Sequence, residues 1–503
     1  MNGAILVCGT HSDAGKSAVA TGLCRWLARE GVRVAPFKAQ NMALNSVVTK
    51  DGCEVGRSQA VQAAAAGVPL EAAMNPILLK PSGERRSQVI VMGRPYVDAD
   101  ATGYQDLKAA LRPVVADALA GLRERFDVVV CEGAGSPAEV NLRDGDLVNM
   151  GLARDAGLPV IVVADIDRGG VFASLLGTLA LLDPSDQAYV AGFVINKFRG
   201  DHSILAPGLR DLEARTGRPV LGVLPYVEDL WLDVEDSVAL DGGPPEAPAS
   251  VGTIDVAVIR LRWMSNFTDA DALGAEPGVR VRFTRSPADV ERADLVIVPG
   301  TKATVEDLER LRTSGLDRAL TARASSGRPI LGVCGGYQML GERIDDDVES
   351  GRGAIAGLGL LPVATEFAAD KLLRPRHGRC EWLGTGAGGY EIRHGRLRRH
   401  GGEPVLVAED GESEGCRVGA VVGISWHGAL EHDDFRRALL RWALPSFVPG
   451  DTPFADVREA RLDALGDLVA GHLDTARLAA LIESGPTPDL PVLTTRVREC
   501  CAS

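Results

Sequence analysis

The sequence predicts an α/β chain of two parallel-sheet domains, and three observations carry that prediction. Apolar, β-rich runs at 4–8, 32–37, 128–131, 159–164 and 189–195 alternate with helical stretches, as in a parallel sheet covered on both faces. The segment at 241–250, DGGPPEAPAS, is rich in Pro and Gly and free of large apolar residues, so it reads as a linker. A second series of apolar runs follows at 254–259, 279–283, 295–298 and 330–333, and ends near 421–426. The expected division is therefore 1–240, a linker at 241–252, a second domain at 253–445, and an extension at 446–503. Within the extension, 457–484 has helical apolar spacing with Leu462, Leu465, Leu468 and Val469 on one face. A chain of 503 residues exceeds what one hydrophobic core serves, in keeping with two large domains.

Composition narrows the class. Hydrophobic residues make up 46% and charged residues 24%, the balance of a soluble globular protein. A formal net charge of -14 argues against nucleic acid or an anionic membrane surface as the main partner. No run approaches the roughly 20 apolar residues of a membrane span, and the N-terminus lacks the layout of a signal peptide. Nine cysteines, an odd number without metal-type spacing, point to free thiols in a reducing cytoplasm. Cys500 and Cys501 receive no role.

The first chemical motif is GTHSDAGKS. Gly9, Thr10, Gly15, Lys16 and Ser17 follow a predicted strand and open a predicted helix, the setting of a phosphate-binding loop. Its backbone N–H groups and helix N-terminus favour phosphate, Lys16 suits the β and γ phosphates of ATP, and Ser17 suits Mg²⁺. Five residues separate the two glycines where the common pattern has four. Glu132, at the end of the strand DVVVCE, stands where a carboxylate holds Mg²⁺, with Glu54 as a second candidate. Asp165 and Asp167 end another strand and read either as functional acids or as helix caps. Asn196 and Lys197 close the strand AGFVINK and are candidates for reading the nucleotide base.

The second motif is ILGVCGGYQML. Gly332, Cys334 and Gly336 give Gly-x-Cys-x-Gly between a strand and a helix, a nucleophile elbow built on cysteine. Turn and helix start favour the thiolate, and the N–H of Gly335 can face an oxyanion. Gly300, in the turn after 295–299, supplies the other donor. His427, in SWHG after a late strand, is the best base among the eight histidines.

These motifs carry resemblances. The long phosphate loop is similar to that of dethiobiotin synthetase and its relatives, which phosphorylate a carboxylate. In them Lys38 of KAQNMALNS matches a lysine directed at the nucleotide or the acyl phosphate. The cysteine elbow and distant histidine resemble a class I glutamine amidotransferase. Many such enzymes carry Glu two residues after the histidine; here that position is Ala429, with Glu431 beyond. Either another group orients His427 or the site is a Cys–His dyad. From about 4 to 444 the chain resembles the cobyric acid synthase family, in KAQNMALNS, GRSQAVQAAAAGVP, MNPILLKP, VADIDRGGVFASLLGT, INKFRGD, VCGGYQMLG and SWHG.

The resemblance implies a dethiobiotin synthetase-like P-loop domain fused to an amidotransferase domain. Its partners are ATP, glutamine and a corrinoid, four of whose carboxylates are amidated. An oligomer is compatible with it. Arg57, Lys80, Arg85 and Arg86 are candidates for the remaining substrate carboxylates, or a solvated charged surface. The alternatives are the sister enzyme that amidates the a and c carboxylates, a lipid-linked muramyl-peptide amidating enzyme, and a P-loop regulatory ATPase with a degenerate amidotransferase domain.

Overall fold

The computed structural model describes residues 1–83, 85–227, 253–487 and 489–493. The expected linker at 241–252 and Cys500 and Cys501 lie outside these residues. The first sheet holds β1 (Gly3–Gly9), β2 (Val34–Phe37), β3 (Val128–Glu132), β4 (Val160–Asp165), β5 (Val190–Phe198) and β6 (Val220–Pro225). Their order is β6-β5-β4-β1-β3-β2, and every pairing is parallel. The strands are apolar except near their carboxyl ends, where Glu132, Asp165, Asn196 and Lys197 stand, because helices cover both faces of the sheet. The chain leaves β1 toward one edge and later returns to its other side. A crevice therefore opens at the carboxyl ends of β1, β3 and β4, where open α/β sheets bind ligands.

The second sheet holds β7 (Ile254–Ile259), β8 (Val279–Thr284), β9 (Leu295–Val298), β10 (Ile330–Val333), β13 (Cys416–Val418) and β14 (Val421–Ile424). Their order is β8-β7-β9-β10-β14-β13, parallel except at the β13–β14 edge. Between β10 and β14 the chain builds a long antiparallel hairpin, β11 (Val363–Cys380) and β12 (Thr385–Arg399). The sequence did not announce this hairpin, because its alternation is filled with Arg and Gly rather than apolar residues. It reaches the first domain, where Tyr390 and Ile392 cluster with Val47.

The extension forms two helices, Phe454–His472 and Thr475–Ser484. Asp474 breaks the run and caps the second helix by accepting from the N–H of Arg477 at 3.0 Å. Leu462, Leu465 and Val469 are buried as expected, while Leu468 is only partly so. The partner of this face is the first domain: Leu462 and Val469 join the core of Ile5, Val7, Leu23 and Leu27. The chain thus returns past the second domain to finish the hydrophobic cover of the first.

Candidate active sites

Helix α1 (Lys16–Arg29) starts directly from the phosphate loop. Gly15 lies at φ +103°, in the left-handed region, and a Cβ there would come within 1.9 Å of Asn196 Nδ2. Lys16 is buried and its Nζ donates to the carbonyls of His11 at 3.0 Å and Gly135 at 3.1 Å. It therefore spans the loop and the turn after β3. Glu132, fully buried, gathers the rest: Oε1 accepts from Ser17 Oγ at 2.8 Å and from Lys38 Nζ at 3.0 Å. Its Oε2 accepts from Gln62 on the helix Arg57–Ala65. The buried hydroxyl of Thr10 has no hydrogen-bond partner. Gly15, Lys16 and Ser17 face the adjoining cavity at the start of helix α1, where backbone N–H groups and the helix N-terminus receive phosphate oxygens. Ser17 and Glu132 together fit Mg²⁺, which takes one or two protein oxygens and completes its shell from phosphates and water.

Gly15, Lys16, Ser17, Lys38, Glu132 and Gly135 line a cavity of about 1120 Å³. Small-molecule pockets run to roughly 300–1,000 Å³, so this one exceeds the need of a nucleotide alone. Its wall includes Lys108, Arg143, Arg168 and Lys197 alongside Asp13, Glu139, Asp146 and Asp186, together with Met42 and Leu142, which are 53% and 46% exposed. Cations beside exposed apolar side chains suit a large amphipathic anion.

The second site is assembled around Cys334, which takes φ +50° at the strand-to-helix turn. That geometry is strained for any residue with a side chain and is held by its surroundings. A Cβ at Gly336 would come within 1.9 Å of the carbonyl oxygen of Val298, so only glycine lets the elbow close on β9. His427 is fully buried and lines the same small cavity as Cys334, whose thiol donates to the carbonyl of Ile392 at 3.7 Å. Its Nδ1 shares a 2.7 Å hydrogen bond with Asp269 Oδ2, and the other oxygen of Asp269 accepts from the N–H of Gly428 at 2.7 Å. Burial pushes the imidazole pKa down. The charges of Asp269 and Cys334 outweigh that and push it up to about 10. Tyr390 stacks on the ring at 5.8 Å and exchanges two 2.9 Å backbone bonds with His427, fixing its plane. The imidazole also abuts Gly300, where a Cβ would lie 2.7 Å from Cε1. Cysteine, oriented imidazole and carboxylate form a relay suited to acyl transfer from an amide.

The profile of the CobQ/CobB/MinD/ParA nucleotide binding domain matches residues 5–238, and that of the CobB/CobQ-like glutamine amidotransferase domain matches 255–435. The cobyric acid synthase of Frankia casuarinae is 59% identical over 98% of this chain and 99% of its own. That of Rhodococcus jostii is 56% identical over 98% of each, and that of Streptomyces avermitilis 55% identical over 98% of this chain and 99% of its own. The chain belongs to the cobyric acid synthase family. It is accordingly a glutamine-dependent, ATP-using amidoligase with a P-loop domain and an amidotransferase domain.

Within this family member the structure brings together Gly9, Thr10, Gly15, Lys16, Ser17, Lys38 and Glu132 at one site, and Gly300, Cys334, Gly335 and His427 at the other. Glu54 is a correction. It is fully buried away from the phosphate loop, with Oε1 at 2.7 Å from Lys80 Nζ and Oε2 at 2.5 Å from Lys371 Nζ of the hairpin. Burial pushes its pKa up, and the two lysines outweigh that and hold it well below the usual range. A carboxylate already neutralised by two buried ammonium groups is a poor metal ligand; Glu54 ties the domains together. Asn196 lies against the phosphate loop, where its amide donates to the carbonyl of Ala14 at 3.1 Å.

Asp165 caps its own turn and pairs with Lys197 at 2.7 Å, and Asp167 is half-exposed beside Arg199. Arg57 pairs with Glu431 across the domain contact at 2.6 Å, and Lys80 with Glu54, so neither lines the large cavity. Arg85 and Arg86 are exposed, the latter paired with Asp98. Glu431 therefore does not serve His427. Asp269, which does, lies 158 positions before it in NFTDADAL, and Gln62 lies mid-helix. No local spacing pointed to either.

Proposed function

We propose that the chain amidates the b, d, e and g carboxylates of adenosylcobyrinic acid a,c-diamide, using ATP and ammonia released from glutamine. The observation that carries this reading is the coexistence, in one chain, of a complete Cys334–His427–Asp269 relay and a Lys16–Ser17–Glu132 phosphate site. Cys334 Sγ attacks the glutamine amide carbon, and His427 hands its proton to the leaving ammonia. Water then hydrolyses the glutamyl thioester, with the same imidazole as base. In the first domain a substrate carboxylate oxygen takes the γ-phosphoryl group of ATP, giving ADP and an acyl phosphate. Ammonia attacks the acyl carbon, and phosphate leaves with the carboxylate oxygen. Lys16 and Lys38 neutralise charge on the transferring group, while Glu132 holds Ser17 and Lys38 in register. Mg²⁺, when bound at Ser17 and Glu132, adds charge neutralisation at the β and γ phosphates.

An assembled relay argues against a regulatory ATPase with a degenerate second domain. We place the reaction in the cytoplasm, a reading supported by seven free, buried cysteines among the described residues. Among those residues no helix is long and apolar enough to cross a membrane. Mass spectrometry of the product tests the substrate. The a,c-diamide should gain four amides in the presence of ATP and glutamine. Amidation confined to the a and c carboxylates of the fully acidic corrinoid would contradict the proposal.

A further inference from the structure

The large cavity is not built by the synthetase domain alone. Arg262 and Trp263, from the loop after β7, line it from the amidotransferase side. Arg262 is exposed and Trp263 half-buried, with the guanidinium 5.4 Å from the indole centroid. The indole N–H is already used, donating to Glu306 at 3.0 Å, so the ring serves the cavity as an apolar surface. An arginine held over an aromatic ring offers a carboxylate a planar, two-pronged donor beside an apolar surface.

The backbone of the same loop reaches the other active site. The carbonyl of Trp263 accepts from the N–H of Lys302 at 3.0 Å and from Thr301 Oγ1 at 3.1 Å. Asp307 accepts from the N–H groups of Arg262 at 3.0 Å and Trp263 at 3.2 Å, and from Thr301 Oγ1 at 2.5 Å. Two residues on, the N–H of Ser265 donates to the carbonyl of Gly300 at 2.9 Å, and the loop ends at Asp269 beside His427. One short segment thus faces the synthetase cavity at one end and supports the 300–302 turn and the catalytic imidazole at the other. The cavity beside Cys334 measures about 30 Å³, and Thr301 and Lys302 of the 300–302 turn form part of its wall.

We propose that Arg262 and Trp263 are acceptor-binding residues lent by the amidotransferase domain to the synthetase site. They take one carboxylate and part of the apolar ring of a large polycarboxylate, and its binding shifts the 300–302 turn and opens the glutaminase. The inference rests on the reading of the large cavity as the synthetase site.

Steady-state kinetics of the full chain test it, with ammonia as nitrogen source and the a,c-diamide as acceptor. Arg262→Ala should raise the acceptor KM roughly tenfold or more, as expected for loss of a charge-assisted contact, and Arg262→Lys should recover part of it. The acceptor concentration that half-stimulates glutaminase should rise by the same factor, which a merely structural role would not produce. An acceptor KM within twofold of the parent, with Lys16→Ala inactive, overturns the inference alone. Amidation that survives Lys16→Ala overturns the cavity reading and the inference with it.

Discussion

Asp269→Asn lowers glutaminase kcat by a factor on the order of 10³, while amidation driven by added ammonia is retained. The carboxylate has two jobs that an amide cannot do together. Its Oδ2 accepts from His427 Nδ1, which leaves the other ring nitrogen to face Cys334, and its charge stabilises the imidazolium. The carboxamide can present its NH₂ to Nδ1 and select the wrong tautomer. The pH profile carries a second signature. Burial alone would depress the His427 pKa; Asp269 and Cys334 raise it to about 10. A pKa raised on folding contributes stability that is fully present below the ordinary histidine range and lost as pH rises through about 10. With Asn at 269 much of the raising charge is gone, so the alkaline loss of glutaminase moves to lower pH. Stopped assays of glutamate release across pH read both effects. A parent-like rate with the alkaline limb unmoved would contradict the role of Asp269.

Lys16→Ala lowers amidation from either nitrogen source by about a thousandfold. The ammonium group of Lys16 bridges the loop to Gly135 just beyond Glu132, so its removal takes away charge at the phosphates and a brace for the loop. No neighbour substitutes for it. Lys38 is held on Glu132 Oε1, and Lys197 is held on Asp165. The measurement is ammonia-driven amidation at saturating ATP, with nucleotide affinity by calorimetry as the companion. Amidation within tenfold of the parent would contradict the phosphate-site assignment.

Local sequence was enough wherever chemistry and backbone geometry are written in consecutive residues. The apolar strands, the loop from Gly9 to Ser17, the Gly-flanked Cys334 and the strand-end His427 are of that kind, and all lie where their patterns imply. What sequence hid was set by tertiary contact. Asp269 sits on a short loop helix after β7, and only the fold carries it to a histidine on the far side of the sheet. Glu54 shares the acidic character of a metal ligand, yet two lysines from different domains claim it. The hairpin 363–399 escaped notice because its faces are lined by arginines held in ion pairs with Glu391, Asp410 and Glu412 instead of by apolar residues. The extension was legible as helix, but its partner, the first domain, was not.

The central claim is that one chain makes ammonia at Cys334 and consumes it at a separate ATP site. Amidation by Cys334→Ala, supplied in parallel with glutamine and with ammonium at alkaline pH, tests it most directly. The expected result is loss of glutamine-driven amidation by a factor on the order of 10³ or more, with ammonia-driven amidation close to that of the parent. Glutamine-driven rates equal in the two proteins, or loss of both activities in a folded variant, would contradict it.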